Sequence, residues 1–356
     1  MKDFIYNKKK VNLISRIRIP ENRDLKKGVR LNRNERVENF DTKIISKIFQ
    51  KSQDYDLGKY PDQSRIYNIL SKFLRLKEEN LSITSGIDGS IKSIFEIFSD
   101  KNDRVGVLSP TYAMYEVYSN LFKTKIYKIS YQNFKLDRKK LHQVIKDRKV
   151  KIIFIPNPNQ PIEDNLSLKE IEKICKECKK NKILLVIDEA YHMFGSQTAA
   201  KLCLKYENIV ILRTFSKSFG LPSIRLGYVI AHKKIIQIFN SYRLSYESNF
   251  LSDTVAEYFI KNFSIIKKYN KQIIQGREYL KLELKKLRIQ VIGKKANFLL
   301  INFRNKKILK NILNSLKVNK IYVKSNYKGD LSNCILVTCG NINTMKKLLK
   351  IIKNNI

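Results

Sequence analysis

Two short apolar runs constrain this chain most. Ile183–Ile187 is unbroken and ends on Asp188, and Ile209–Leu212 is unbroken and ends on Arg213, Thr214, Phe215, Ser216 and Lys217. A strand that is apolar at consecutive positions has helices over both of its faces, the condition of a parallel sheet in an α/β protein. Val105–Leu108, Lys151–Ile155 and Gly227–Ile230 repeat the pattern, with helical stretches between them. Ser167 to Lys180 is one such stretch, with Leu168, Ile171 and Ile174 on one face. The expected fold class is therefore α/β, with a mostly parallel central sheet in a large domain. Ligands bind beyond the carboxyl ends of the strands in such sheets. Asn157–Gln160, Asp188–Tyr191 and Arg213–Lys217 stand at those ends.

After about residue 240 the pattern changes to long helical stretches, then strands at Phe298–Phe303, Ile321–Val323 and Cys334–Val337, then a helix from Thr344. This predicts a smaller α+β domain. The expected division gives a large domain at 41–245 and a small domain built from 1–40 and 246–356. A chain of 356 residues can bury two such cores without staples.

Composition excludes several classes. Five cysteines in 356 residues do not form a disulfide framework. Cys175 and Cys178 form a CxxC inside an expected helix but lack metal partners, and Cys203, Cys334 and Cys339 read as buried thiols. His142, His192 and His232 make no metal set, so no metal is expected. No apolar stretch approaches the roughly 18 residues of a membrane span. Met1–Lys10 lacks the apolar core of a secretory signal. A cytoplasmic protein with no membrane partner is expected. The net charge is +39, but the lysines are spread along the chain, without an RNP, helix-turn-helix or zinc-finger pattern. Nucleic acid is therefore not the expected partner, whereas anionic metabolites are attracted to such a surface.

The two strand ends carry the chemistry. One delivers Asp188 and Tyr191; the other delivers Thr214, Ser216 and Lys217, with Arg225 eight residues beyond the lysine. This set suits pyridoxal phosphate. A partly desolvated lysine has a depressed pKa and can form a Schiff base with the cofactor aldehyde. A carboxylate against the pyridine nitrogen keeps it protonated and makes the ring an electron sink. A phenol can donate to the ring O3′, and hydroxyls with a forked arginine bind phosphate.

Over most of its length the chain resembles fold-type I, class I/II aminotransferases of the histidinol-phosphate aminotransferase group. The motifs are LNRNE at 31–35, KYPDQS at 59–64, TSGIDGS at 84–90, SPTYAMY at 109–115, NPNQP at 157–161, DEAY at 188–191 and SKSFGLPSIR at 216–225. The resemblance implies three catalytic residues: Lys217 as the Schiff-base lysine, Asp188 as the partner of the ring nitrogen and Tyr191 as the O3′ donor. It places Ser216, Arg225 and the loop at Gly86 on the phosphate, with amides from Ile87 and Asp88 and with Thr214 nearby. Tyr112 stacks on the ring. Tyr60 reaches the phosphate of a neighbouring subunit, which implies a homodimer.

Three departures accompany the resemblance. Gln160-Pro161-Ile162-Glu163 stands where the group has Asn-Pro-Thr-Gly, so the amide that bonds O3′ falls on Gln160, one methylene longer. Pro222-Ser223-Ile224-Arg225 replaces Ala-Gly-Leu-Arg and keeps the arginine. Leu336 occupies the position of a C-terminal anion-binding arginine, and Lys324 that of a second. Arg33, Arg36 and Arg243 are the other candidate cations. The expected activity is transfer of an amino group between an amino-acid donor and an oxo acceptor, the substrate being a phosphorylated or surface-polymer precursor. The alternative is pyridoxal-phosphate-dependent decarboxylation of a phosphorylated amino acid. A non-catalytic nucleic-acid binder is a third reading, and the presence of both Lys217 and Asp188 argues against it.

Overall fold

The computed structural model describes residues 28–51, 58–303 and 305–356. Residues 1–27 of the expected small domain, and with them Met1–Lys10, lie outside the described residues.

The described strands are β1 (Val29–Leu31), β2 (Leu81–Thr84), β3 (Arg104–Ser109), β4 (Lys125–Gln132), β5 (Lys135–Leu136), β6 (Ile152–Pro156), β7 (Leu184–Asp188), β8 (Ile209–Thr214), β9 (Gly227–Ala231), β10 (Gln290–Ile292), β11 (Phe298–Asn302), β12 (Ile321–Val323) and β13 (Cys334–Thr338). Eight of them form one sheet in the order β2-β9-β8-β7-β6-β3-β4-β5. The block β4-β3-β6-β7-β8 is parallel throughout. β9 runs antiparallel to both β8 and β2. Only a short 3-10 turn, Pro222–Ile224, and no α-helix lies between β8 and β9, so the chain doubles back beside β8.

The unbroken apolar runs have a direct cause. Ile153, Ile155, Leu185, Ile187, Ile209 and Ile211 enter one buried cluster, and their neighbours Ile152, Phe154, Val186, Val210 and Leu212 enter another. Successive strand residues point to opposite faces, and both faces are covered. Helix Leu168–Lys180 covers the first face. It is capped by Ser167, whose Oγ accepts from the Glu170 amide while the Glu170 carboxylate accepts from the Ser167 amide. Helix Gly86–Phe98 covers the second through Ile87, Ile91, Ile94 and Phe95.

β10, β11 and β13 form a three-stranded antiparallel sheet. β1 pairs in parallel with β12, which ties the N-terminal segment to this smaller layer. The last helix starts at Ile342, two residues earlier than the sequence suggests, because Asn341 caps it by accepting from the Thr344 amide. The division at 245 and 246 stays a proposal. Within it, helix Phe250–Lys261 adds Ala256, Phe259 and Ile260 to the large-sheet cluster. All five cysteines are free and buried, and no described helix is long and apolar enough to cross a membrane.

Candidate active site

β3 feeds β4 on one side, whereas β6 lies on its other side. The strand order reverses there, and a crevice opens at the carboxyl edge. The loops after β3 and β6 are stitched across it. Thr111 Oγ1 donates to Asn159 Oδ1 at 2.7 Å, and Asn159 Nδ2 donates to the Pro110 carbonyl at 3.1 Å. A cavity of about 890 Å³ occupies the crevice. Its walls include Ile87, Asp88, Tyr112, Gln160, Asp188, Tyr191, Thr214, Ser216, Lys217 and Arg225. Ten of the residues expected from sequence thus share one cavity.

Asp188 ends β7 and is only 5% exposed. Its Oδ2 accepts from the Tyr115 hydroxyl at 2.7 Å and its Oδ1 from the Ala190 amide at 3.0 Å. Burial nevertheless pushes its pKa up to about 6. Tyr191 is buried, packs edge-on against Phe298 and accepts from Asn34 Nδ2 at 3.0 Å. Burial drives its phenol well above the ordinary range, so it stays protonated.

Lys217 follows β8, and its Nζ donates to the Arg33 carbonyl at 3.2 Å. Burial lowers its pKa to about 8, with Arg225 contributing in the same direction. A measurable fraction is therefore neutral amine near pH 7.

Thr214 Oγ1 donates to Ser216 Oγ at 3.0 Å and accepts from the Ser216 amide at 3.1 Å. Arg225, in a left-handed conformation at φ 51°, has Nη2 3.5 Å from Asp88 Oδ2. The Tyr112 hydroxyl donates to the other Asp88 oxygen at 2.7 Å. Gly86 stands behind this wall at φ 73°, and a Cβ there would lie 3.1 Å from Arg225 Nη2. Gly227 packs on Gly86 so closely that a Cβ would come within 2.7 Å of its carbonyl carbon. Together they bring the first turn of helix Gly86–Phe98 against Thr214 and Arg225. No side chain caps that helix, and the start of an uncapped helix presents amides to an anion. The donor set of hydroxyls, guanidinium and helix start fits a phosphate, and the buried carboxylate fits a protonated ring nitrogen.

Tyr60 does not line this cavity. It is 80% exposed and stacks on Tyr246 with centroids 4.6 Å apart.

The candidate cations separate. Arg33 and Lys324 line the cavity. Arg36 does not: its guanidinium lies over Phe40 and Tyr269 at 3.8 and 3.7 Å, and its Nε donates to the Glu38 carbonyl. Arg243 faces Glu247 outside the cavity. Leu336 is buried in β13, and its backbone exchanges two hydrogen bonds with Lys324, at 2.8 and 3.0 Å. Burial and the nearby Arg33 lower the Lys324 pKa.

Sequence reasoning missed three supports. Tyr115 lies three residues past Tyr112, and Asn34 lies inside LNRNE. Their partners are far off in sequence, so only the fold reveals them. The third is the buried pair Arg213–Glu189, 2.9 Å apart beneath the site.

The chain matches the model of the family "Aminotransferase class I and II" over residues 38–352. It is 29% identical to histidinol-phosphate aminotransferase of Clostridium kluyveri over 334 residues, covering 90% of this chain and 93% of that one. It is 32% identical to the enzyme of the same name from Brachyspira hyodysenteriae over 322 residues, covering 87% and 88%. Its fold is similar to that of histidinol-phosphate aminotransferase from Sinorhizobium meliloti in complex with pyridoxal-5′-phosphate. The TM-score is 0.83 at 18% identity, with 92% and 91% of the two chains covered. The chain belongs to the class I and II aminotransferases, which use pyridoxal phosphate.

Proposed function

We propose that this aminotransferase moves an amino group from an amino-acid donor to an oxo acceptor that carries an anionic group, a phosphorylated or surface-polymer precursor, held by Lys324 and Arg33. The observation that carries this reading is their joint presence in the cavity of Lys217 and Asp188. Two neighbouring cations on one wall attract an anion, and a lysine is a point charge without the fork of arginine.

When bound, pyridoxal phosphate supplies an aldehyde for amines and a ring that takes up the electron pair left when the substrate Cα–H bond breaks. Lys217 Nζ, its pKa lowered to about 8, would be the base that takes the substrate Cα proton and returns it to the cofactor carbon C4′. Asp188 would hold the ring nitrogen and favour a positive charge there. Tyr191 keeps its proton and would donate it in a hydrogen bond to the ring hydroxyl, and Gln160 would offer an amide to the same oxygen. Ser216, Thr214, Arg225 and the amides of Ile87 and Asp88 would bind the phosphate, and Gly86 leaves room for Arg225. Tyr112 would cover the ring. Tyr60, exposed and not among the residues lining its own cavity, serves the cavity of a second copy in a homodimer.

The test is transfer from glutamate to paired oxo acceptors with and without a phosphate group, for wild type, Lys217→Ala and Lys324→Ala. The phosphorylated acceptor should be preferred by wild type, and Lys217→Ala should be inactive. Lys324→Ala should lose the preference. Equal use of both acceptors by wild type contradicts the substrate class. Release of carbon dioxide in place of amino transfer contradicts the reaction.

A further inference from the structure

Glu163 lies three residues past Gln160 and is only 7% exposed. Its carboxylate has no ion pair among the described residues. Its Oε1 accepts from the Lys295 amide at 2.7 Å and from Asn165 Nδ2 at 2.6 Å, and its Oε2 accepts from the Ala296 amide at 3.2 Å. An ionised carboxylate only accepts hydrogen bonds, and burying one is costly unless such donors converge on it. Two of the three, the Lys295 and Ala296 amides, come from the turn that leads into β11, in the small domain; the third, Asn165, belongs to the loop of Glu163 itself.

That turn reaches back to the site. Asn297 Nδ2 donates to the Asn34 carbonyl at 3.2 Å, and Asn34 Nδ2 donates to the Tyr191 hydroxyl at 3.0 Å. Arg277 Nη1 holds the same turn from behind, donating to the carbonyls of Ala296 and Phe194 at 2.8 and 3.1 Å. Asn34 is itself fixed at φ 52° by its amide, which donates to Thr338 Oγ1 at 2.8 Å. A chain of contacts therefore runs from the loop after Gln160, through Glu163, the 295–297 turn and Asn34, to Tyr191 in the cavity.

We propose that Glu163 is a positioning residue that fixes the Tyr191 hydroxyl by clamping the 295–297 turn; this rests on the reading of Tyr191 as donor to the ring hydroxyl. Glu163 itself touches no reacting atom. It stands at the position where the resembled group has glycine, so this clamp belongs to the present chain and not to the shared motifs. Moving a donor by a fraction of an ångström costs rate far more than binding.

Three variants test this: Glu163→Ala, Glu163→Gln and Asn297→Ala. The readouts are amide hydrogen exchange of the cofactor-free protein, the pH midpoint of the visible absorbance with pyridoxal phosphate, and kcat. Glu163→Ala should lose exchange protection in both 293–297 and 32–36, move the absorbance midpoint, and lower kcat on the order of ten-fold. Glu163→Gln keeps one acceptor oxygen and should fall between it and wild type. Asn297→Ala leaves the clamp in place, so it should keep protection at Lys295 and Ala296 yet reproduce the absorbance and kcat changes. If Glu163→Ala does not fold, Glu163→Gln decides the matter: an unchanged midpoint and kcat there overturn the inference. If Glu163→Ala loses protection only in 293–297, with midpoint and kcat unchanged, Glu163 is a structural brace and the inference falls. If wild type gives no visible band, the reading of Tyr191 falls, while the exchange pattern still tests the link from Glu163 to Asn34.

Discussion

Tyr115 donates its phenolic proton to Asp188 Oδ2 at 2.7 Å, from a side chain that is itself fully buried. The bond works against burial: desolvation raises the Asp188 pKa, and the Tyr115 hydrogen bond lowers it. Tyr115 thus favours the charged form of a buried carboxylate, as the proposed pairing of Asp188 with a positive ring nitrogen requires.

Tyr115→Phe removes that support and leaves the ring packing on Phe154 in place. The Asp188 pKa then rises, so more of it is protonated in mildly acidic solution. We expect the cofactor-free protein to take up pyridoxal phosphate about ten-fold more weakly at pH 6 and little differently at pH 8, since one charged hydrogen bond is worth about 1.5–3 kcal/mol. Parallel pH profiles for the two proteins would remove Tyr115 from this role.

The Lys217 pKa is lowered from 10.5 to about 8. The unfolded chain keeps that proton up to about pH 10.5, but the folded protein releases it near 8. Folding is therefore penalised in full below pH 8, and the penalty fades between 8 and 10.5. Lys217→Met should raise the unfolding midpoint of the cofactor-free protein at pH 7, with the gain shrinking at pH 10. Differential scanning fluorimetry at both values checks it, and a lower midpoint at pH 7 would count against a desolvated lysine.

Arg213 and Glu189 are 5% and 1% exposed and meet at 2.9 Å. Glu189 Oε1 also accepts from the Ala199 amide at 2.6 Å. Arg213→Ala leaves this carboxylate buried without its cation, a loss of about 3–5 kcal/mol. Urea unfolding of the cofactor-free protein measures it. A loss below about 1 kcal/mol would show that water reaches the pair.

Lys324→Ala should raise the KM for the anionic acceptor about ten-fold, the value of one charge-assisted contact, with a smaller change in kcat. Leu336→Arg adds a cation beside Lys324 and Arg33, across the bridge between residues 324 and 336. It should lower KM for a carboxylate-bearing substrate. An unchanged KM in both variants would place the anion elsewhere.

The large sheet was legible because both of its faces are buried, so β3, β6, β7, β8 and β9 carry unbroken apolar runs. β4 was not, because its burial alternates and Lys125 and Lys128 break the run. Lys217, Asp188 and Arg225 were legible because each sits within a few residues of a strand end. The roles of Tyr115, Asn34 and Glu163 were not. Each bonds a partner 73, 157 or 132 residues away, and such pairs leave no local pattern. The direction of β9 was hidden too, since period and polarity do not distinguish parallel from antiparallel neighbours. Among the four candidate cations, only packing separates Arg33 and Lys324 from Arg36 and Arg243.

The most direct measurement is the visible absorption spectrum of the purified protein with pyridoxal phosphate, titrated with glutamate. The expected result is a visible band that wild type forms and Lys217→Ala does not, and that glutamate converts to the spectrum of the aminated cofactor. A band of equal strength in Lys217→Ala, or no band in wild type, would contradict the assignment of Lys217 on which the site is built.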